Sequence, residues 1–299
     1  MITPQKINIG DKIGILSTAR KISLVELTPA IEILESWGLK VVFGQFLFEE
    51  DNQFAGTVAQ RASDLQNMID NDEIKAVFFA RGGYGTVQII DKVNFSNLHQ
   101  NPKWLIGYSD VTVLHSHLNK MGLSTLHSTM PINFHKNTNK SLASLHDNIF
   151  GHSTIINIEP HKFNRHGMVD AEIVGGNLSI LYSLLGSNSD IKTAGRILFI
   201  EDLDEYLYHV DRMIINLKRN NKFNSLKGMI IGSMKRMNDN EIPFGKTAEE
   251  IILEHIQEYN FPVCFGFPSG HLDDNRSLRL GVRSLLEINK NGVNLSQSY

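Results

Sequence analysis

From the first residues to about residue 121, short apolar runs alternate with longer amphipathic segments. This alternation restricts the fold more than any other feature of the chain. Residues 12–16 read as a strand, with Ser17-Thr18 opening the turn after it. Residues 24–37 carry apolar positions at helical spacing and stop at Gly38. Residues 39–43 read as the next strand, 59–69 as a helix and 76–80 as another buried strand. Gly82-Gly83-Tyr84-Gly85 follows, then a helix over 87–93, a strand beginning at Trp104 and a helix over 111–121. Strands separated by helices must run parallel, with the helices covering both faces of the sheet. Ligands of such sheets bind at the carboxyl ends of the strands. The glycine cluster and Ser109 both fall there.

Residues 134–165 break the pattern. They are rich in Asn, His, Ser and Lys and have little apolar periodicity, so they read as a crossover with one helix over 141–150. The chain therefore divides into an N-terminal domain (1–135), a crossover (136–168) and a C-terminal domain (169–299). In the last, Gly175-Gly176-Asn177 reads as a turn, 178–185, 210–220 and 248–259 as helices, and 197–200 and 228–231 as strands. A net charge of −3 offers no basic face for nucleic acid. No apolar run approaches the roughly 18 residues a membrane span needs. The first residues lack a charged-then-apolar leader, and a single cysteine excludes an intrachain disulfide. The expectation is a cytoplasmic protein without a membrane segment.

Trp104-Leu105-Ile106-Gly107-Tyr108-Ser109-Asp110 places a serine where a strand turns into a helix. Such a serine can be a helix cap. It can also be a nucleophile raised above the sheet, beside N–H groups that favour negative charge. Asp110 is the better cap by position, which leaves Ser109 free. The glycine-flanked elbow G-x-S-x-G is incomplete, because Val111 stands at its last position. Arg81-Gly82-Gly83-Tyr84-Gly85 has three readings: a phosphate cradle, an oxyanion hole beside Ser109, or a tight turn. Gly245-Lys246-Thr247 lacks the upstream glycine of a phosphate loop, Asn240 standing there; Thr247 and Glu250 instead form a capping box. His115 and His117, two apart on a helix, make a poor metal pair. His127 ends a short strand at the same sheet edge as Ser109, and His271 lies in a turn-rich loop, Pro268 to Asn275. Glu201 and Asp202 follow the 197–200 strand, either lining a site or forming a solvated acidic turn. Cys264, in the apolar run 261–267, reads as buried and structural.

Four separated blocks, Ala80-Arg81-Gly82-Gly83-Tyr84-Gly85, Gly107-Tyr108-Ser109-Asp110, Ile200-Glu201-Asp202 and Gly270-His271, resemble in order and spacing the LD-carboxypeptidase family of serine peptidases. The resemblance covers roughly residues 10 to 288. It implies an α/β architecture, with a Rossmann-like parallel-sheet N-terminal domain holding the nucleophile. A smaller mixed-sheet C-terminal domain would hold the acid and base, with the site in the cleft between them. Carried onto matching positions, Ser109 is the nucleophile, His271 the general base and Glu201 its orienter. Backbone N–H groups of Gly83 and Asp110 are the expected oxyanion hole. Arg81, Gly82, Tyr84 and His127 are the expected substrate contacts, with the Arg81 guanidinium suited to a carboxylate. The resemblance further implies a homodimer, no metal and no cofactor, and a small peptide substrate ending in a free carboxylate, such as murein tetrapeptide. Two alternatives stay open: an immunity-type hydrolase of a peptidyl-nucleotide antibiotic, and a non-catalytic module binding an anionic ligand. The chain departs from the family after His127, where Ser128-Thr129 replace Gly-Pro. It departs again at Leu272, where glycine is usual, and at Arg279, where proline follows leucine. These changes bear on substrate more than on catalysis.

Overall fold

A computed structural model describes all residues, 1–299. Strands β1 (Lys12–Leu16), β2 (Lys40–Phe43), β3 (Ile74–Phe79), β4 (Trp104–Gly107) and β5 (Thr125–His127) form a parallel sheet in the order β2-β1-β3-β4-β5. Helices α1 (Leu24–Ser36), α2 (Val58–Asp70) and α3 (Thr112–Lys120) lie in the connections. Strand residues alternate between the two faces. Ile13, Ile15, Phe78, Trp104 and Ile106 pack with Leu27 and Leu34 of α1 on one side. Leu16, Val77, Phe79 and Leu105 pack with Leu65 of α2 and Leu114 of α3 on the other. Capping boxes start α1 (Ser23 with Glu26) and α2 (Thr57 with Gln60). The buried positions Leu27, Ala30 and Leu34 then make one stripe of α1, and each leucine contributes about 2 kcal/mol by leaving water.

The second half continues with α4 (Asn139–Ile149), β6 (Thr154–Ile158), β7 (Gly167–Asn177), α5 (Leu178–Ser183), β8 (Ile197–Leu203), α6 (Leu207–Arg219), β9 (Gly228–Lys235) and α7 (Ala248–Ile256). Short strands β10 (Val263–Cys264) and β11 (Leu278–Leu280) lead to the hairpin of β12 (Arg283–Asn289) and β13 (Gly292–Gln297). Seven of these strands form a mixed sheet, β10-β9-β8-β7-β12-β13-β6, parallel from β10 to β7 and antiparallel beyond. β11 leaves that sheet and pairs antiparallel with β5, adding a sixth strand to the first one.

Several local expectations change. Residues 87–93 form two 3-10 turns, Thr86–Gln88 and Ile90–Lys92, in place of a helix. The buried residues Thr86, Ile89, Ile90 and Val93 do keep the spacing of one helical stripe, but no side chain caps either turn, and Thr86 at the start is drawn to the Asp110 carboxylate. The crossover carries a strand as well as its helix. β6 alternates buried and exposed residues and closes the mixed sheet against β13. Gly175-Gly176-Asn177 ends strand β7 instead of turning, and the Asn177 side chain caps α5 by accepting from Ile180 N. Glycine is required there by close approach. Gly176, at φ +144°, lies against Thr112 of α3, and Gly175, at φ +137°, lies against the Phe199 carbonyl of β8. The capping box of Thr247 and Glu250 forms as expected at α7. No helix is long and apolar enough to cross a membrane.

A Cβ at residue 175 would fall 1.8 Å from Phe199 O. Gly175→Ala should therefore lower the unfolding free energy by about 2–4 kcal/mol through strain and displaced packing. Urea denaturation reads this as a lower midpoint at unchanged slope; an unshifted midpoint would contradict the close approach of Gly175 to β8.

Candidate active site

Ser109 stands at the carboxyl end of β4, half-buried, in a left-handed backbone conformation at φ +62°. That conformation is uncommon for a residue other than glycine, and it sharpens the turn from strand into the 3-10 turn Ser109–Val111 that precedes α3. Gly107, two residues earlier, lies against the Val111 side chain, so a Cβ there would collide. The cap expected of Asp110 does not form. No side chain caps α3, and the Asp110 carboxylate accepts instead from Thr86 N (2.9 Å) and Thr86 Oγ1 (2.7 Å). Burial raises the Asp110 pKa, against the lowering effect of those two hydrogen bonds and of Arg61. Arg61, itself buried, donates to Thr18 O, Gly85 O and Gln88 Oε1. Asp110 and Arg61 thus hold the glycine turn against the start of α3. Gly85, at φ +149°, leaves the room that Arg61 fills.

Gly82 is the glycine in contact with Ser109: a Cβ there would lie 3.2 Å from Ser109 Cβ and 3.3 Å from its Oγ. Gly83 (φ +123°) packs on the Arg20 side chain, and half-exposed Tyr84 packs on Phe54. Arg81 donates through Nη1 to Lys21 O at 3.0 Å and lies 3.9 Å from Glu26, while its buried Nε has no partner.

From the second sheet comes Glu201, fully buried within β8 and not in a solvated turn after it. The β8–β9 register shifts between Ile200 and Asp202, an irregularity that re-aims side chains at a strand end. Glu201 Oε2 accepts from His271 N at 3.2 Å and meets His271 Nδ1 at 2.6 Å. His271 Nε2 lies 3.2 Å from Ser109 Oγ. Serine, histidine and glutamate therefore form one hydrogen-bonded line across the two sheets. Gly270 (φ +112°) permits it, because a Cβ there would lie 2.5 Å from Glu201 Oε2. The ring of Tyr108, whose hydroxyl accepts from Asn133 Nδ2, lies against that of His271 at 4.9 Å between centroids.

The link between Asn177 and Asp202 is not visible in the sequence, which offers Asn177 only as a turn residue and Asp202 as a site-lining or solvated carboxylate. Asp202 accepts from Asn177 Nδ2, Leu203 N and Ser179 N, each at 2.8 Å, while Asn177 N donates to Thr112 Oγ1 at 2.9 Å. This network ties α3, which follows Ser109, to the strand that carries Glu201. An asparagine just before a helical segment was the available signal. Burial, and then the charge of Glu201, push the Asp202 carboxyl up to about 7.

His127 is not on the cleft surface. It is fully buried among Tyr108, His115 and Phe199, with neither ring nitrogen hydrogen-bonded, so the expected substrate contact has no exposed surface to make it. Burial lowers its pKa well below the usual histidine value. His115 is held between Thr125 Oγ1 and Gly107 O, and His117 meets Ser189 Oγ, so the two do not converge. Ligand atoms do converge at His146, Asp147 and His152, at the end of α4, but none of these lines the cleft. Cys264 is buried, its thiol pushed up to about 12.

A cleft of ≈350 Å³ opens beside His271, lined among others by Lys136, Lys235, Arg236, Leu272 and Asp273. A hydroxyl on a sharp turn, an imidazole within reach and a buried carboxylate behind it make up the parts of a serine hydrolase. The chain belongs to the LD-carboxypeptidase family: the model of its N-terminal domain matches residues 13–128 and that of its C-terminal domain residues 170–286. It is 32% identical over 291 residues to the probable murein peptide carboxypeptidase of Bacillus subtilis, covering 95% of this chain and 91% of that protein. Its fold is like that of muramoyltetrapeptide carboxypeptidase from Oxalobacter formigenes (TM-score 0.89, 24% identity, 96% and 99% of the two chains). It is equally like that of the microcin C7 self-immunity protein MccF of Escherichia coli, solved with aspartyl sulfamoyl adenosine (TM-score 0.89, 22% identity, 100% and 99%).

Burial disfavours protonated His271, but the charge and hydrogen bond of Glu201 outweigh it, and the His271 pKa is raised above the ordinary histidine value. The stabilisation from the charged pair is therefore full below that ordinary value and lost as pH rises through the raised one. In an NMR pH titration His271 should titrate above the ordinary value. In Glu201→Gln it should titrate below it, since burial then acts almost alone. Equal midpoints in the two proteins would refute the coupling.

Proposed function

We propose that the protein is a serine carboxypeptidase that hydrolyses an L,D-peptide bond, releasing a terminal D-amino acid from a murein tetrapeptide and leaving the tripeptide. The observation that carries this reading is the hydrogen-bonded line Glu201–His271–Ser109 in a chain of the LD-carboxypeptidase family. His271 Nε2 takes the Ser109 Oγ proton as the oxygen attacks the scissile carbonyl carbon. The C–N bond then breaks as His271 returns that proton to the leaving amine. Water, deprotonated by His271, releases the acyl group from Ser109 and restores the hydroxyl. Glu201 fixes the imidazole tautomer and stabilises its cation. Backbone N–H groups of Gly83 and Asp110 receive the oxyanion, each worth about 3 kcal/mol in comparable sites; the contact of Gly82 with Ser109 supports a glycine turn at the reacting centre. Arg81, Gly82 and Tyr84 border the substrate, with the partly exposed Arg81 guanidinium, steadied by Lys21 O, available to the terminal carboxylate.

These steps use water alone, without metal or cofactor. Wall-peptide recycling in the cytoplasm by a homodimer completes the proposal. A peptidyl-nucleotide substrate would use the same three residues. Tyr108 and His271 are the aromatic side chains among those lining the cleft, and they pack on each other, which favours a peptide over a nucleobase.

Ser109→Ala should lower kcat/KM for tetrapeptide hydrolysis by at least about a thousandfold while the fold is retained. Chromatographic release of D-alanine, run beside a peptidyl-nucleotide assay, checks both activity and substrate. Full activity in the variant would refute the nucleophile. Failure of a serine-directed covalent probe to label Ser109 in a His271-dependent way would favour the binding module.

A further inference from the structure

Three side chains on the rim of the cleft are not used by the chemistry above. Lys136 follows β5, Lys235 ends β9, and Arg236 comes next; all three are exposed and line the cleft beside His271. None makes a side-chain hydrogen bond or salt bridge within the chain; one lining carboxylate, Asp273, stands against the three cations. Their backbone is not slack. Arg236 is held at φ +52°, a conformation that costs a residue other than glycine stability. The turn is pinned by Asp204 N donating to Lys235 O at 3.0 Å and by Asn238 Nδ2 donating to Asp204. A fixed strained turn that holds unpaired cations over a polar cleft is matched to anionic groups on a ligand.

We propose that Lys136, Lys235 and Arg236 form a carboxylate anchor for the acyl side of the scissile bond, a proposal that rests on the peptidase reading. The cleft is roomy for one small leaving residue, whose own carboxylate the turn at Arg81 can meet. The acyl side of a murein peptide carries further carboxylates. Its γ-linked glutamate leaves the α-carboxylate free, and the diaminopimelate side chain ends in another. The anchor thus selects peptides with free carboxylates just before the cleaved bond, over neutral or amidated peptides of the same length.

The test compares the wild type with the combined variant Lys136→Gln, Lys235→Gln and Arg236→Gln, on the tetrapeptide and on an analogue amidated at the glutamate and diaminopimelate side-chain carboxyls. For the tetrapeptide, KM should rise at least about tenfold with kcat nearly unchanged, as expected for charge-assisted contacts away from the reacting atoms. The analogue should bind the wild type more weakly, and its KM should not respond to the substitutions. In parallel, calorimetry measures binding of the tripeptide L-alanyl-γ-D-glutamyl-diaminopimelate to Ser109→Ala, with and without the three cations; Kd should weaken at least about tenfold. An unchanged KM and an unchanged Kd would overturn the anchor while Ser109-dependent hydrolysis left the peptidase reading intact. An equal KM loss for the analogue would assign the cations to the terminal carboxylate and overturn the acyl-side assignment. Cation-dependent tripeptide binding without any hydrolysis would keep the anchor and overturn the peptidase reading. Circular dichroism confirms that the exposed substitutions leave the fold unchanged.

Discussion

The pairing of β11 with β5 is the constraint on which the rest of the site depends. The chain leaves the mixed sheet after β10, forms the loop that carries His271, and then pairs Leu278, Arg279 and Leu280 with His127, Leu126 and Thr125 of the first sheet. The loop is thereby fastened at both ends, to two different sheets. Leu278 and Leu280 bury their side chains with Ile173, Phe199 and Leu286 of the mixed sheet, so a strand paired to the first sheet packs in the core of the second. Arg279, where the resemblance leads one to expect proline, supplies a backbone N–H that donates to Gln297 Oε1, and its buried guanidinium donates to Gln297 O and His152 O. A proline there would lose that donor.

With the loop fixed, the chemistry becomes a matter of buried carboxylates and the donors they meet. Glu201, Asp202 and Asp110 are all buried, and each accepts from backbone or side-chain donors that keep it oriented. Burying a carboxylate is costly unless it is paired, and each of these partners joins segments far apart in sequence. Asp110 meets Thr86 of the glycine turn, Glu201 meets the histidine loop, and Asp202 reaches Thr112 through Asn177. The glycines serve the same purpose sterically. Gly82, Gly176 and Gly270 each stand where another residue of the site comes within van der Waals distance. The exposed cations around the opening contrast with this interior, so charge is arranged by depth: buried carboxylates beneath the imidazole, exposed cations above it.

Much of the first sheet was legible because short buried strands and capped helices have strong local signatures. β1 and the capping box of α7 lie where the residues alone place them. The block containing Ser109, the glycine turn and Gly270-His271 each had ordinary local readings as cap, turn and loop, and only their joint order along the chain, through the resemblance to a family, pointed to one site. Less legible were segments decided by neighbours. Residues 87–93 carry a helical stripe of apolar positions yet form two uncapped 3-10 turns, with Thr86 at their start held by the distant Asp110. Gly175-Gly176 looked like a turn, yet it is strand, because the glycines answer to α3 and β8, not to local bending. His127 looked accessible at a strand end and is sealed beneath Tyr108 and Phe199.

The sequence by itself determined the alternating α/β plan, the helix starts, the residue types available for acyl transfer and their order along the chain. Those properties follow from periodicity, capping and side-chain chemistry, which act over a few residues. Only the tertiary structure decided that Ser109 and His271, 162 positions apart, stand within hydrogen-bonding distance. It also decided that Glu201 is buried behind the imidazole, and that three cations from two separate segments face one cleft. Distances of that kind are set by which strands pair and how helices pack between sheets. No local preference encodes the partner of a strand as short as β11.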